Sequence, residues 1–173
     1  TGRMGVSYTF LKLFEATNKQ EYLKKALTTA KGCVTFIENS HQMCEFINGA
    51  SGTLLGLLHL HAATQESWVL QSINIFTQHL IQNAKFGKVG LYWDIMPQAV
   101  RPLCGFSHGT SGIGFVFLEL GHYFSNPAFY KIAGQAFAYE DYYFDKQINN
   151  WPDFRLDLWY RGDWVLSATS GIP

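Results

Sequence analysis

The sequence predicts an all-α protein built as an array of helical hairpins. Three observations carry that prediction. A glycine-led apolar segment recurs three times along the chain, each copy is followed by an amphipathic segment, and no alternating strand pattern competes.

The recurrence is visible by direct superposition. "MGVSYTFLKLFEATNKQEYL" (4–23) falls on "SGTLLGLLHLHAATQESWVL" (51–70) at an offset of 47, pairing Gly5 with Gly52, Leu11 with Leu58, Leu13 with Leu60, Ala16 with Ala63, Thr17 with Thr64 and Leu23 with Leu70. At a further offset of 60, "GASGTLLGLLHL" (49–60) falls on "GTSGIGFVFLEL" (109–120), pairing Gly49, Ser51, Gly52, Leu58 and Leu60 with Gly109, Ser111, Gly112, Leu118 and Leu120. Each unit reads as a glycine-rich start, an apolar helix, a short polar turn and a second helix.

The elements follow in order. The first helices of the later units, over 53–60 and 113–120, are apolar nearly all round and are expected to be buried on most sides. The second helices carry one stripe: Val69, Ile73, Phe76 and Leu80 in one unit, Phe129, Ile132, Ala133, Ala136 and Phe137 in the next. "ATNKQE", "ATQES" and "SNPAF" are the intervening turns, and Pro127 suits a helix first turn. The hairpins are placed at about 4–40, 48–86 and 108–150, in one domain spanning 1–173. Loops at 87–107 and 151–173 depart from the pattern, and loops of such length in a compact domain are often functional. No hairpin buries its first helix alone, so the units must stack, and the flanks of the arc call for more units or a partner.

Composition narrows the functional classes. With 47% hydrophobic and 16% aromatic residues, the chain has the means to build a core and is not disordered. Net charge is zero and no basic stripe appears, which argues against a nucleic-acid partner. The longest uncharged apolar run, near 113–118, is far too short to span a membrane, and no signal peptide is visible. Cys33, Cys44 and Cys104 are odd in number and widely spaced, which fits buried thiols in a reducing, cytoplasmic setting and signals no metal site among them. The chain opens Thr-Gly-Arg-Met, as expected of a fragment or a processed chain.

One stretch asks for a chemical explanation. "PLCGFSHGTSGIGF" (102–115) sets His108 among Gly105, Gly109, Gly112 and Gly114 at the mouth of a helix, although glycine weakens helices. Alone, such a histidine reads as a helix-end residue bonded to backbone. Gly109 and Gly112 read as structural, allowing close approach of neighbouring helix ends and open amides at a helix N-terminus. His59, His61, His79 and His122 read as structural too, since His59 and His61 are not at the i, i+4 spacing of a helical metal pair. His41 reads as solvated. Trp151, Asp153 and Arg155 suggest a local ion pair under an aromatic lid, Asp94 either lines the cleft or is a solvated loop acid, and Glu140 suggests a surface or inter-helix contact.

Four linked motifs then point to a family. "EFINGASGTLLGLL", "GLYWDI", "GFSHGTSGIG" and "AYEDYYFD…NNWPDFR" together resemble the lanthionine synthetase C-like family, over almost the whole chain and in order. That resemblance implies an α/α toroid of about seven hairpins, of which this chain would supply about three as an incomplete barrel. It implies a cyclase for lanthipeptides, in which a zinc ion held by two Cys and one His binds a peptide Cys as thiolate. The thiolate adds to dehydroalanine or dehydrobutyrine to close a thioether ring, and the resulting enolate is protonated. His108 matches the family's proton-transfer histidine. Glu45 stands where the family usually has Asp, and Arg161 matches loosely an arginine that helps to hold the enolate. The implied partners are a precursor peptide and the remainder of a larger synthetase.

The tail departs from the family. Its first zinc ligand lies in W-C-x-G, whereas here the chain reads "RGDWVLSATSGIP". If Trp164 is that Trp, Val165 stands at the ligand position; otherwise the chain ends before the motif. In either case no zinc triad is recognisable, no zinc is expected on this chain, and it is not expected to cyclise a peptide alone. A zinc-free relative acting as a peptide-binding or scaffolding module is therefore the alternative. A sugar-hydrolysing toroid would need two inward carboxylates, for which only Glu45 with Asp94 or Asp153 are available.

Overall fold

A computed structural model describes residues 2–37, 43–95, 99 and 101–155. Six helices run in pairs: α1 (Gly2–Thr17) with α2 (Gln20–Ile37), α3 (Ala50–Thr64) with α4 (Ser67–Asn83), and α5 (Thr110–Phe124) with α6 (Pro127–Tyr143). Within each pair the first helix ends on a left-handed residue, Asn18, Gln65 or Ser125, at φ 55°, 55° and 52°. These three positions are related by the same offsets of 47 and 60 that relate the sequence repeats. A left-handed residue turns the chain sharply and lets its amide satisfy a carbonyl of the last turn. Accordingly, the Asn18 amide donates to Phe14 O (2.7 Å) and the Gln65 amide to His61 O (2.8 Å). After Ser125, the Asn126 side chain accepts from the Ala128 amide and Pro127 occupies the first turn, as the sequence predicts.

The helices form two layers. Helix α3 packs against both α1 and α5, while α2, α4 and α6 each cover the helix that precedes them. Burial follows the apolar pattern: Leu54, Leu57, Leu60, Ile113, Val116, Phe117 and Leu120 fill the interior from the first layer. The α4 stripe Val69, Ile73, Phe76 and Leu80 is buried whole, and α6 contributes Ala133 and Ala136. Flank helix α1 buries only Met4, Ser7 and Leu11, and leaves Val6 half exposed.

The loop after α4 is more ordered than the sequence pattern suggests. Lys85–Phe86 pairs antiparallel with Leu91–Tyr92, and Gly90, at φ 73°, presses against the backbone of α6 where a Cβ would meet Gln135 O at 2.2 Å. Trp93 then turns inward, fully buried, and its indole donates to Leu80 O (2.7 Å). The same device follows α6. Asp145 and Asn150 form an isolated bridge, and the Trp151 indole donates to Glu140 O (2.8 Å). In both places the chain leaves the outer helix through a Trp anchor.

Candidate functional site

The turns ahead of α3 and α5 are built alike. Cys44, Phe46 and Gly49 precede α3 at the spacing at which Cys104, Phe106 and Gly109 precede α5. Gly49 and Gly109 occupy the N-cap positions in extended backbone. Both turns are too tight for a larger residue: a Cβ on Gly109 would meet the Cys104 carbonyl carbon at 2.2 Å, and one on Gly112 would meet Phe106 O at 2.0 Å. This answers why glycines crowd a helix start. They let the turn fold back onto the first helical residues, which places residue 108 at the lip.

The two turns lie side by side. The Ile47 amide donates to Ser107 O (3.3 Å), and Phe46 and Phe106 meet at 4.7 Å between centroids. Across this seam Glu45 reaches His108, its carboxylate Oε2 bonded to Nδ1. Glu45 is buried, with 2% of its side chain exposed, and its other oxygen accepts from the Asn48 amide (2.9 Å). His108 keeps 30% of its side chain exposed. A carboxylate only accepts, so this contact puts the imidazole proton on Nδ1 and leaves Nε2 as the exchanging nitrogen.

A second carboxylate supports the turn from behind. Glu140, on α6, is 4% exposed; of the two readings, surface or inter-helix contact, the structure shows the inter-helix one, to the start of α5. Its Oε1 accepts from the amides of Gly105 (2.9 Å) and Ser111 (2.8 Å) and from the Thr110 hydroxyl (2.7 Å), and Oε2 shares the Gly105 amide. Burial raises this carboxyl above the usual range, against the pull of those donors. Cys104 lies beside it, its thiol pushed well above the ordinary value by burial and then by the Glu140 charge. The missed signal was in the pattern: residue 140 continues the stripe of Ala133 and Ala136 and stands sixty residues after Leu80, so a glutamate there is a polar group on a buried face.

The remaining candidates separate from this centre. Arg161, His41, Trp164 and Val165 lie outside the described residues. Asp94 is half exposed and pairs with Lys85. Asp153 is buried and pairs with Arg155, while Trp151 packs against Phe144 at 4.7 Å. Each carboxylate that a sugar-hydrolysing site would recruit thus has its own basic partner. His61 is bonded to the Tyr123 hydroxyl (2.7 Å), His59 stands edge-on to Tyr8, and His79 meets the Cys44 thiol at 3.7 Å. Among the described residues no group of three or more His, Cys, Asp or Glu stands together to hold a metal. With Nδ1 of His108 bonded to Glu45 and Cys104 packed against Glu140, these residues do not fit a two-Cys, one-His zinc set.

Among the described residues no helix is long and apolar enough to cross a membrane. No curated protein matches the chain. The family model described as "Lanthionine synthetase C-like protein" matches residues 1–164, nearly the full length and including the four linked motifs, and the chain belongs to that family.

Proposed function

We propose that this chain carries the proton-transfer centre of a lanthionine-forming cyclase. The observation that supports this reading is the buried Glu45 carboxylate on Nδ1 of a half-buried His108, within a family whose members close thioether rings. In the reaction, the peptide thiol gives up its proton and its sulfur bonds to the β-carbon of a dehydroalanine or dehydrobutyrine. The Cα=Cβ π pair moves onto the adjacent carbonyl as an enolate, and the α-carbon then takes a proton. His108 supplies that proton from Nε2. Glu45 holds the ring, as a carboxylate partner does for an acid–base histidine. Arg161, from its place in the sequence, is assigned to the enolate oxygen. The described residues assemble no zinc set, so the reading rests on the proton-transfer half of the site, and no step is assigned to a metal.

A second reading is a peptide-binding module without turnover. It is favoured by a cavity of about 670 Å³ between α1 and α3, lined by Met4, Tyr8, Phe46, Asn48, Leu55 and His59. The two readings separate in one assay. A Cys-containing dehydrated peptide is incubated with the protein containing this chain, with zinc supplied, and its free thiols are counted over time by alkylation and mass spectrometry. Loss of thiols without change in peptide mass supports the cyclase, whereas saturable binding with all thiols retained supports the module.

A further inference from the structure

The unit that carries His108 differs from the preceding one at a costly position on its outer helix. Where α4 buries Leu80, α6 buries Glu140 at the equivalent place, and in both units a Trp indole caps the carbonyl of that residue. An anion so buried is expensive unless fully hydrogen-bonded. Among the described residues no cation meets the carboxylate; its donors are the Gly105 and Ser111 amides and the Thr110 hydroxyl. These donors bracket His108 in sequence, three residues before it and two and three after it. The turn that bears the imidazole is therefore clamped at both ends to one oxygen atom. The preceding turn, which carries Asn48 at the place of His108 and Glu45 at that of Gly105, has no such clamp from Leu80.

We infer that Glu140 is a positioning residue for His108: its buried Oε1 gathers the two ends of the 105–111 turn and so holds the imidazole against Glu45. The inference rests on the proton-transfer reading for its purpose, but not for its test. The groups facing the imidazole turn are Glu45 across the seam and Cys104 and Glu140 behind it.

The test is NMR of the full chain with labelled histidine, with His108 assigned by its loss in His108→Asn. One signal is followed: the downfield Nδ1–H resonance of the ring bonded to Glu45. Glu140→Leu copies the preceding unit and removes the acceptor. It should broaden or abolish the Nδ1–H resonance, because the ring is no longer held against the carboxylate that accepts from it. Glu140→Gln keeps an acceptor at Oε1 and should retain the resonance, which a purely electrostatic role would not allow. Thr110→Val removes one donor without opening the core; it should give a smaller change in the same direction and carries the test if Glu140→Leu does not fold. An unchanged Nδ1–H resonance in Glu140→Leu, or in Thr110→Val where the former is unfolded, overturns the inference. Retained cyclisation by a His108→Asn protein would instead overturn the proton-transfer reading and leave this geometric result standing.

Discussion

Glu45 and His108, 63 residues apart, meet across the seam between two turns of the same design, one turn giving the carboxylate and the other the imidazole. The pair joins two repeat units. Removing either member leaves the other without the partner it was folded against, and for the buried Glu45 this exposes a desolvation cost. A double-mutant cycle with Glu45→Gln and His108→Asn should therefore return a coupling free energy of about 1–3 kcal/mol by chemical denaturation at neutral pH. Additivity of the two changes would show that the contact contributes nothing to stability.

The glycines at the helix mouth make opposite predictions from a distant one. Gly112→Ala places a methyl 2.0 Å from Phe106 O and 3.0 Å from the Phe46 Cβ, and neither a backbone oxygen nor a Cβ yields easily. It should cost about 2 kcal/mol or more, as overpacking does. Gly134, exposed on α6 with nothing within 4 Å of its added Cβ, should behave as an ordinary helix position. There Ala should stabilise by about 0.5–1 kcal/mol. Urea unfolding of both variants checks the pair.

The thiols should be quiet in the native chain. Burial raises Cys33, pushes Cys44 up to about 11 from 9.0, and raises Cys104 well above its ordinary value with Glu140 adding to the shift. For Cys44 that shift leaves about a hundredfold less thiolate near neutral pH, and the thiolate is the reactive form. Labelling with an aromatic disulfide reagent at pH 7.5 should proceed far more slowly in buffer than in denaturant. Rapid labelling of any one of the three in the folded chain would contradict the burial described.

Glu140 sets a pH dependence with a definite sign. Its carboxyl is raised in the fold, so the unfolded chain ionises first, near 4.5. The contribution of this group to stability is thus fully present below that value, and it falls away as pH rises through the higher folded value. Compared with Glu140→Gln, which does not titrate, the wild-type chain should lose ground steadily from about pH 4 upward. Melting temperatures of both chains over pH 4–8 check this: their difference must shift towards the variant as pH rises. A constant difference would mean that Glu140 has the same proton affinity in both states.

Most of the architecture was legible because it is periodic. Offsets of 47 and 60 located the hairpins, and the same offsets relate Asn18, Gln65 and Ser125 at the inter-helix turns. His108 and Glu45 were both singled out by their family positions, and the structure brings the two side chains together. What was not legible depends on contacts between elements. Trp93 and Trp151 lie in loops that look irregular, and their role appears only once the indoles are seen on Leu80 O and Glu140 O. Glu140 looked like an ordinary charge among Tyr139, Asp141 and Tyr142. Its burial comes from Gly105 and Ser111, some thirty residues distant, whose amides no local pattern connects to it. Asp94 follows the buried Trp93 yet faces solvent beside Lys85, since alternation along the chain turned it outward.

The central claim, that His108 moves the proton in ring closure with Glu45 holding it, is tested most directly by the rate of thioether formation on a dehydrated peptide. It is measured for the protein containing this chain and for its His108→Asn variant across pH 6–8, with peptide binding followed in parallel. The account predicts a loss of about a hundredfold or more in the rate with binding retained, the size expected for removal of a general acid–base group. An unchanged rate in the variant would contradict it.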